Sequence, residues 1–236
     1  MRLIADLHLH TTASGHAYST LEDYVRQAKK IGLEMIAMTD HGPAMLGGPH
    51  YYHFSNLRML PREIDGIKIL RGAECNIIDE NGTIDLEIPE LKILDVCMAA
   101  MHIRLGYENQ GEEKNTPVYE KAFKKYPYIN IIAHPGSPTH PVDLERIVTI
   151  AKENRVVIEI NNSSPFSRPG SYERCLKIAQ EVKKQDWVVV LGTDSHVSTM
   201  LGDFRSAIKL VKEAGLSEKH IVNTSVKKIE THLLRE

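Results

Sequence analysis

Short apolar runs alternate with amphipathic segments from one end of the chain to the other. Each run has five to eight residues, is rich in Val and Ile, and lacks a regular two-residue alternation of polar and apolar positions. This composition is typical of parallel strands that are buried on both faces. Strands are therefore predicted at residues 2–7, 34–39, 67–73, 93–100, 129–133, 156–160 and 188–193.

The segments between these runs have the apolar spacing of helices. Ser19 followed by Glu22 is a capping-box pattern, which predicts a helix that runs to about Ile31 and is ended by Gly32. Further helices are predicted at residues 117–126, with Pro117 at the start, and at residues 143–154, 171–185 and 203–214. Strands that alternate with helices predict an α/β fold, either a barrel or an open doubly wound sheet.

Residues 76–88 interrupt this alternation. Asn81-Gly82 stands there between two short apolar runs, which predicts a β-hairpin on the rim of the fold without a role in function. The sequence contains no linker, repeat or low-complexity segment. Residues 1–236 are therefore predicted to form a single domain.

His, Asp or Glu residues follow six of the seven predicted strands. Because the carboxyl ends of all parallel strands point to one face of an α/β barrel, these side chains are expected to meet there. This convergence predicts a metal site. The candidate ligands in chain order are His8, His10, His16, His41, Glu74, His102, His134, Asp194 and His196.

The spacing and the chemistry of these residues support metal binding. His8 and His10, like Asp194 and His196, are two residues apart, so that their side chains point to the same side of an extended backbone. Imidazole and carboxylate ligands together suit Zn²⁺, Mn²⁺, Fe²⁺ or Ni²⁺. Cys75 follows one of the candidate ligands and should point away from it, so a closed zinc–thiolate site is not expected.

Composition limits the classes of function. The net charge is −2, from 29 basic and 31 acidic residues, and it provides no basic track for a long nucleic acid. Three widely spaced cysteines do not suggest a disulfide framework, and neither a signal peptide nor an apolar run of 18 residues is recognisable. We therefore expect a cytoplasmic protein without a membrane partner.

Read together, the strand-end residues resemble the motifs of the PHP (polymerase and histidinol phosphatase) superfamily. The resemblance covers the full chain, and the segment N-N-S-S at residues 161–164 is most similar to YcdX-type phosphatases. The motifs that carry it are D-L-H-L-H at residues 6–10, T-D-H at 39–41, G-A-E at 72–74, A-A-M-H at 99–102, I-A-H-P-G at 132–136 and G-T-D-S-H at 192–196.

The resemblance implies a distorted seven-stranded (β/α)7 TIM-like barrel with a metal site at the C-terminal mouth. It also implies three divalent metal ions, with zinc expected first and manganese or iron as alternatives, and it suggests a homo-oligomer, namely a trimer. Matched residue by residue, one ion would be held by His8, His10, Glu74 and Asp194, a second by Glu74, His102 and His134, and a third by His16, His41 and His196.

Charge counting leads from this cluster to a class of substrate. Three divalent ions would bring six positive charges, whereas Glu74, Asp194 and a bridging hydroxide would supply three negative ones, so the site favours an anion. We therefore expect metal-dependent hydrolysis of a small phosphate monoester, in which a metal-activated water attacks phosphorus. Glu74, which would join two ions, and Asp194, a candidate acceptor of the water's proton, are the predicted catalytic residues.

Four further residues are candidates for supporting roles. Arg104 and Arg168 are candidate contacts of the phosphate, and the polar segment 104–116 is a candidate cover for the substrate. Asp6 and Asp40 are candidates for orienting ligand imidazoles through their second ring nitrogen.

Other functions remain open. Histidinol-phosphate phosphatase is one of them, and a phosphodiesterase, nuclease or proofreading module that acts on short polynucleotide ends is another. A metal-dependent amidohydrolase shares the barrel-mouth arrangement, although two carboxylates are few for it. From a different class comes a metal-binding domain without catalysis, which would bind metal and hydrolyse no ester.

Overall fold

Seven parallel strands form a nearly closed barrel in the computed structural model, which describes residues 1–234. A short additional strand, β3, pairs antiparallel with β4. The strands in chain order are β1 (Ala5–Leu9), β2 (Met35–Met38), β3 (Glu63–Ile64), β4 (Ile67–Asn76), β5 (Val96–Ala100), β6 (Ile131–Ile132), β7 (Val157–Asn161) and β8 (Val189–Gly192).

The order of the strands distinguishes a barrel from an open sheet. Parallel neighbours follow the chain, in the order β1-β2-β4-β5-β6-β7-β8, without the reversal that defines a doubly wound sheet. The first and last strands meet through a bridge between Leu9 and Ser195. The backbone N–H of His10 donates to the carbonyl of Ser195 at 2.8 Å, and that of Asp194 donates to the carbonyl of His8 at 3.0 Å. The predicted seven-stranded barrel is confirmed.

Along the described residues, helices follow every strand except β3. Those of the described residues are α1 (Leu21–Ile31), α2 (Tyr51–Asn56), α3 (Ile88–Leu91), α4 (Glu112–Lys125), α5 (Leu144–Glu153), α6 (Ser164–Ser167), α7 (Ser171–Lys184), α8 (Arg205–Glu213) and α9 (Val226–His232). Within residues 1–234, none of these helices combines the length and the apolar composition that a membrane span requires.

Three local predictions were wrong. The capping box of α1 is formed by Thr20 and Asp23, one residue later than the predicted pair. Helix α4 begins at Glu112, five residues before the predicted start, so Pro117 lies inside the helix, where it lacks the N–H that would bond to the carbonyl of Glu113. The predicted hairpin at Asn81-Gly82 is reduced to an isolated bridge between Ile77 and Ile84, and the hairpin that does form is β3–β4.

Two apolar clusters divide the core. The smaller cluster takes alternate residues of the strands, such as Met35 and Ala37 of β2, and it includes Ile229 of α9. It therefore fills the barrel interior below the mouth, with α9 covering that end. The larger cluster takes the outward residues, such as Ile36, and packs them against the surrounding helices.

An irregularity in β1 changes which residues point inward. The pairing of β1 with β2 shifts register between Asp6 and Leu9. Leu7 belongs to the interior cluster, whereas Leu9 belongs to the outer cluster, although two residues of a regular strand would share one face. A register shift of this kind re-aims the following side chains. The irregularity thereby directs His8 and His10 into the mouth.

Candidate metal centre

All nine predicted ligands lie in one cluster at the C-terminal mouth of the barrel. His8 lies in β1 and Glu74 in β4, and the other seven stand in the segments that follow β1, β2, β5, β6 and β8. The ring centroids of His10 and His41 are 4.2 Å apart, and those of His10 and His196 are 4.4 Å apart. His102 continues the cluster, with its ring 5.1 Å from that of His41 and 5.2 Å from that of His134.

Glu74 occupies the centre of the cluster. Its Oε1 lies 2.7 Å from Nε2 of His134 and 3.5 Å from Nε2 of His102. Its Oε2 lies 2.8 Å from Nδ1 of His41 and 3.5 Å from Nε2 of His10. The side chain is 1% exposed. One carboxylate therefore faces imidazoles on both of its oxygens, which is the arrangement that a bridging ligand requires.

Asp194 lies between the imidazoles and a guanidinium. Its Oδ1 is 3.2 Å from Nε2 of His10 and 3.6 Å from Nε2 of His8, and its Oδ2 accepts from Nη2 of Arg168 at 3.2 Å. Burial opposes ionisation of this carboxyl, but the positive charges of His8 and Arg168 hold its pKa well below the ordinary value. Asp194 is therefore a carboxylate in the folded chain.

Ligand atoms come within 4.8 Å of one another in three groups among the described residues. The groups are His8, His10 and Asp194; His41, Glu74 and His102; and His10, His41 and His196. His10 and His41 each belong to two groups, so each lies between two candidate ion positions. His16 and His134 are in none of these groups. The ring of the exposed His16 lies 5.0 Å from those of His41 and His196, and Nε2 of His134 lies 2.7 Å from Oε1 of Glu74.

Hydrogen bonds from Nδ1 orient four of the imidazoles. The Nδ1 of His8 faces Glu159 at 2.6 Å, that of His102 faces Oδ1 of Asn76 at 2.7 Å, and that of His196 faces the carbonyl of Asp194 at 3.0 Å. The Nδ1 of His10 faces Ser14 Oγ at 3.2 Å. Each partner can accept a hydrogen bond, so the neutral form of each ring carries its proton on Nδ1 and leaves the lone pair of Nε2 free. In His8, His10 and His102, Nε2 faces the carboxylates of the cluster.

Sequence analysis missed Glu159. It is a charged residue inside the apolar strand β7, and its side chain is fully buried. Its Oε1 accepts from His8, and its Oε2 accepts from the backbone N–H of His134 at 2.8 Å. A Cβ on Gly192 would lie 2.0 Å from Glu159 Oε1, so a glycine is required there. The detectable signal was the acidic residue between Ile158 and Ile160.

The segment that was predicted to lack a function supports His102. The side-chain N–H of Asn76 donates to Asp85 at 2.6 Å, which turns its Oδ1 toward His102. A Cβ on Gly42 would lie 2.3 Å from the Asp85 carboxylate, so the close approach of Asp85 requires that glycine. Residues 76–88 therefore position an imidazole of the cluster, and the prediction that they have no role was wrong.

The two candidate aspartates have different contacts. Asp40 accepts from Ser14 Oγ at 2.6 Å, and Ser14 faces His10, so Asp40 orients this imidazole through one intervening hydroxyl. Asp6 accepts from the N–H and the hydroxyl of Thr193, just before Asp194. Asp6 therefore fixes the backbone ahead of a ligand, and Asp40 acts on the imidazole as predicted.

Two residues of the cluster have strained backbones. His134 has a φ of 33° and Asp194 a φ of 55°, a region that residues other than glycine rarely adopt. Such conformations cost of the order of 1 to 3 kcal/mol and persist where the surroundings impose them. Directing these two side chains into the mouth therefore lowers the stability of the folded chain.

The residues fit divalent metal ions. Burial, followed by the neighbouring His41, lowers the pKa of His10 to about 3, and burial, followed by Arg168, lowers that of His134 to about 4. Both imidazoles are therefore neutral at pH 7, which metal ligation requires. The Nδ1 of His41 and the Oε2 of Glu74 are buried without a hydrogen bond, although the two atoms are close. Buried polar atoms of this kind need a partner, and a cation would satisfy both.

Replacing Glu159 by glutamine is expected to weaken metal binding about 10- to 100-fold. A carboxylate accepts from both His8 and His134, whereas an amide would place an NH₂ against one of these donors or force His8 into the wrong tautomer. Metal affinity would be measured by competition with a chelator. Glu181→Gln, on α7, is the control, and equal affinities of the two variants would contradict the assigned role of Glu159.

The two candidate arginines differ in location. Arg168 follows α6, and its side chain lines a cavity of about 390 Å³ together with His16, His41, His102, Asp194 and His196. Arg104 is exposed and is not among the described residues that line this cavity. Arg168 is thus the candidate that lies in the site.

Comparisons with known proteins agree with the motifs. Residues 6–163 match the family model described as the PHP domain. A "probable phosphatase" of Thermoanaerobacter sp. is 45% identical over 234 residues, which cover 99% of this chain and 95% of the relative. A "probable phosphatase" of Acetivibrio thermocellus is 43% identical over 236 residues, which cover 100% of this chain and 97% of the relative. The predicted resemblance to the PHP superfamily is confirmed.

A solved structure shares the fold. The histidinol phosphate phosphatase of Lactococcus lactis, solved with zinc, L-histidinol and phosphate, superimposes with a TM-score of 0.64. The alignment covers 90% of this chain and 94% of that one, at 19% sequence identity. This likeness supports the barrel architecture independently of the sequence motifs.

Proposed function

The chain belongs to the PHP domain family, and we propose that it is a metal-dependent phosphatase that hydrolyses small phosphate monoesters. The observation that carries the proposal is the cluster itself, in which the strand ends deliver seven imidazoles and two carboxylates to one mouth. The names of the curated relatives support the reaction class. The zinc in the Lactococcus lactis structure supports a metal-dependent reaction.

The charge of the site favours a phosphate dianion. We propose that three divalent ions bind to the nine residues, with zinc first and manganese or iron as alternatives. Glu74 and Asp194 supply two negative charges against the six positive charges of three such ions, and the imidazoles are neutral ligands. The remaining positive charge attracts an anion. A neutral amide would gain less from this environment than a phosphate ester does.

Divalent ions in such a site lower the pKa of a water molecule and neutralise charge on the phosphoryl oxygens. The chain's own residues orient the reactants. Glu74 directs Oε2 toward His41 and Oε1 toward His134, and it thereby fixes the separation of these two imidazoles. Asp194 is ionised, so it can accept a proton from water at Oδ1, while Arg168 and Asn161 hold its Oδ2.

Arg168 is proposed to contact the phosphate, because its guanidinium is the cation among the described residues that line the cavity. Arg168→Met is expected to raise KM for phosphate esters about tenfold or more, since charge-assisted hydrogen bonds to the ester would be lost. Steady-state kinetics would measure this change. Arg104→Met is the matched control, and an equal rise in KM for both variants would exclude the contact.

The reaction class can be tested directly with Zn²⁺- or Mn²⁺-loaded protein. Phosphate release would be measured with p-nitrophenyl phosphate and with a panel of small monoesters that includes L-histidinol phosphate. Bis(p-nitrophenyl) phosphate and p-nitroacetanilide would serve as diester and amide comparators. The proposal predicts release from monoesters. Turnover of the diester or the amide alone would replace it with a phosphodiesterase or an amidohydrolase, and no turnover with metal bound would indicate a domain that binds metal without catalysis.

A further inference from the structure

Large apolar side chains surround the mouth beside the cluster. Phe166 is 92% exposed and Met200 is 41% exposed, and both line the same cavity as the candidate ligands, together with the half-buried Met45. Single exposed apolar residues are common on protein surfaces. Here, however, three of them converge on a cavity that also contains the candidate metal ligands, which is the combination expected of a small-molecule site.

These three side chains come from separate segments. Met45 follows β2, Phe166 lies in α6 after β7, and Met200 follows β8. All three segments extend from the carboxyl ends of strands, where loops determine specificity in α/β barrels. Phenylalanine supplies a flat apolar face, and methionine adapts its shape to a neighbouring ring. The side chains of Met45, Phe166 and Met200 therefore line the same cavity, and they are called the apolar wall below.

Among the described residues, the side chains that line the cavity provide no free charge for the rest of a substrate. Apart from the candidate ligands, its lining residues are Met45, Ser163, Phe166, Ser167, Arg168 and Met200. The Arg168 guanidinium is held by Asp194, and Asp194 is the carboxylate of this lining. Among the described lining residues, a positively charged leaving group would therefore find no unpaired carboxylate, and a second anionic group would find no cationic side chain other than the one proposed to contact the phosphate.

We infer that the substrate is a phosphate monoester whose leaving group is uncharged and carries an aromatic ring that packs on Phe166. This inference rests on the proposed phosphatase activity and adds the chemical class of the alcohol. The phosphate occupies the end of the cavity that contains the ligands, and the ring lies against Phe166, Met45 and Met200. The hydroxyls of Ser163 and Ser167 are available to polar atoms on the ring or its linker.

Matched esters test the leaving group. Benzyl phosphate and ethyl phosphate release alcohols of similar acidity, so a difference in kcat/KM reports contacts of the ring with the protein. 2-Aminoethyl phosphate and phosphoglycolate add a positive and a negative charge, respectively. With metal-loaded protein, benzyl phosphate is expected to exceed the other three in kcat/KM by roughly tenfold, the effect of one good aromatic contact.

The Phe166→Ala variant tests whether Phe166 causes the preference for benzyl phosphate. The variant is expected to lower kcat/KM for benzyl phosphate about tenfold and to change that for ethyl phosphate less than threefold. Met59→Ala, at a residue that is 72% exposed and does not line the cavity, is the control and should change neither value. An unchanged benzyl-to-ethyl ratio in Phe166→Ala would overturn the inference, as would a preference of the unmodified protein for either charged ester.

A binding measurement separates this inference from the proposed reaction. Benzylphosphonate and ethylphosphonate have no hydrolysable ester bond, so calorimetric titration reports affinity without turnover. Tighter binding of benzylphosphonate that is lost in Phe166→Ala would support the ring site, even if no ester is hydrolysed. Equal affinities of the two phosphonates would reject the ring site, even if phosphate monoesters prove to be good substrates.

Discussion

Glu74→Gln is expected to lower kcat/KM for a phosphate monoester about 10³-fold, the upper end of the range for removing a single group that stabilises the transition state. Glutamine keeps the volume of the side chain but removes the negative charge. It also replaces one of the two oxygens that now face His41 and His134 with a donor. Kinetics and elemental analysis of the same preparation would separate loss of chemistry from loss of metal.

Glu90→Gln is the matched control for this variant. Glu90 is 9% exposed, and its carboxylate accepts from Ser55, an interaction that an amide oxygen can keep. The control should retain full activity and the same midpoint of thermal unfolding. A Glu74→Gln variant with normal metal content and normal activity would show that this carboxylate is not part of the catalytic site.

Removing the divalent ions is expected to abolish phosphate release and to lower the midpoint of thermal unfolding by about 10 °C. Ions that bind the folded chain stabilise it by about 4 kcal/mol at a thousandfold excess over Kd, and 1 kcal/mol corresponds to roughly 2 to 4 °C in a chain of this size. Without ions, the buried carboxylate of Glu74 relies on imidazoles alone for compensation. Chelator treatment followed by scanning calorimetry and a phosphate assay would measure both effects.

Reloading provides the control for metal removal. Zn²⁺ or Mn²⁺ should restore both activity and stability, whereas Ca²⁺ should restore neither, because it prefers six to eight oxygen ligands and this cluster is dominated by nitrogen. Protein that is free of metal by elemental analysis and still hydrolyses monoesters at the original rate would contradict a metal-dependent mechanism.

Much of the fold and the composition of the cluster could be read from the sequence, because both depend on local patterns. Buried apolar runs that alternate with helical segments predicted the parallel strands. The His, Asp and Glu residues that follow six of these strands predicted a site at the mouth of the barrel. Glu74 and His134 are 60 positions apart, but each stands at the end of a strand, and in the structure their side chains are in contact. Their place in the barrel follows from topology alone.

The residues that hold the cluster in position became apparent only in the folded chain. Glu159 lies inside an apolar run, and its contact with His8 depends on a neighbouring strand that has glycine at position 192. Asp85 reaches Asn76 because Gly42 leaves space for it. These contacts join segments that the chain order separates and that no local spacing relates.

The same distinction applies to the mouth. The sequence of a loop does not reveal whether an apolar side chain is packed or exposed. It therefore did not indicate that Phe166, Met45 and Met200 line the cavity. The donor types, their order along the strands and the barrel that brings them together could be predicted without coordinates, since these follow from residue chemistry and periodicity. Hydrogen-bond partners, the strained backbones of His134 and Asp194 and the apolar wall were decided by packing, because each depends on distances between parts of the chain that meet only in the folded state.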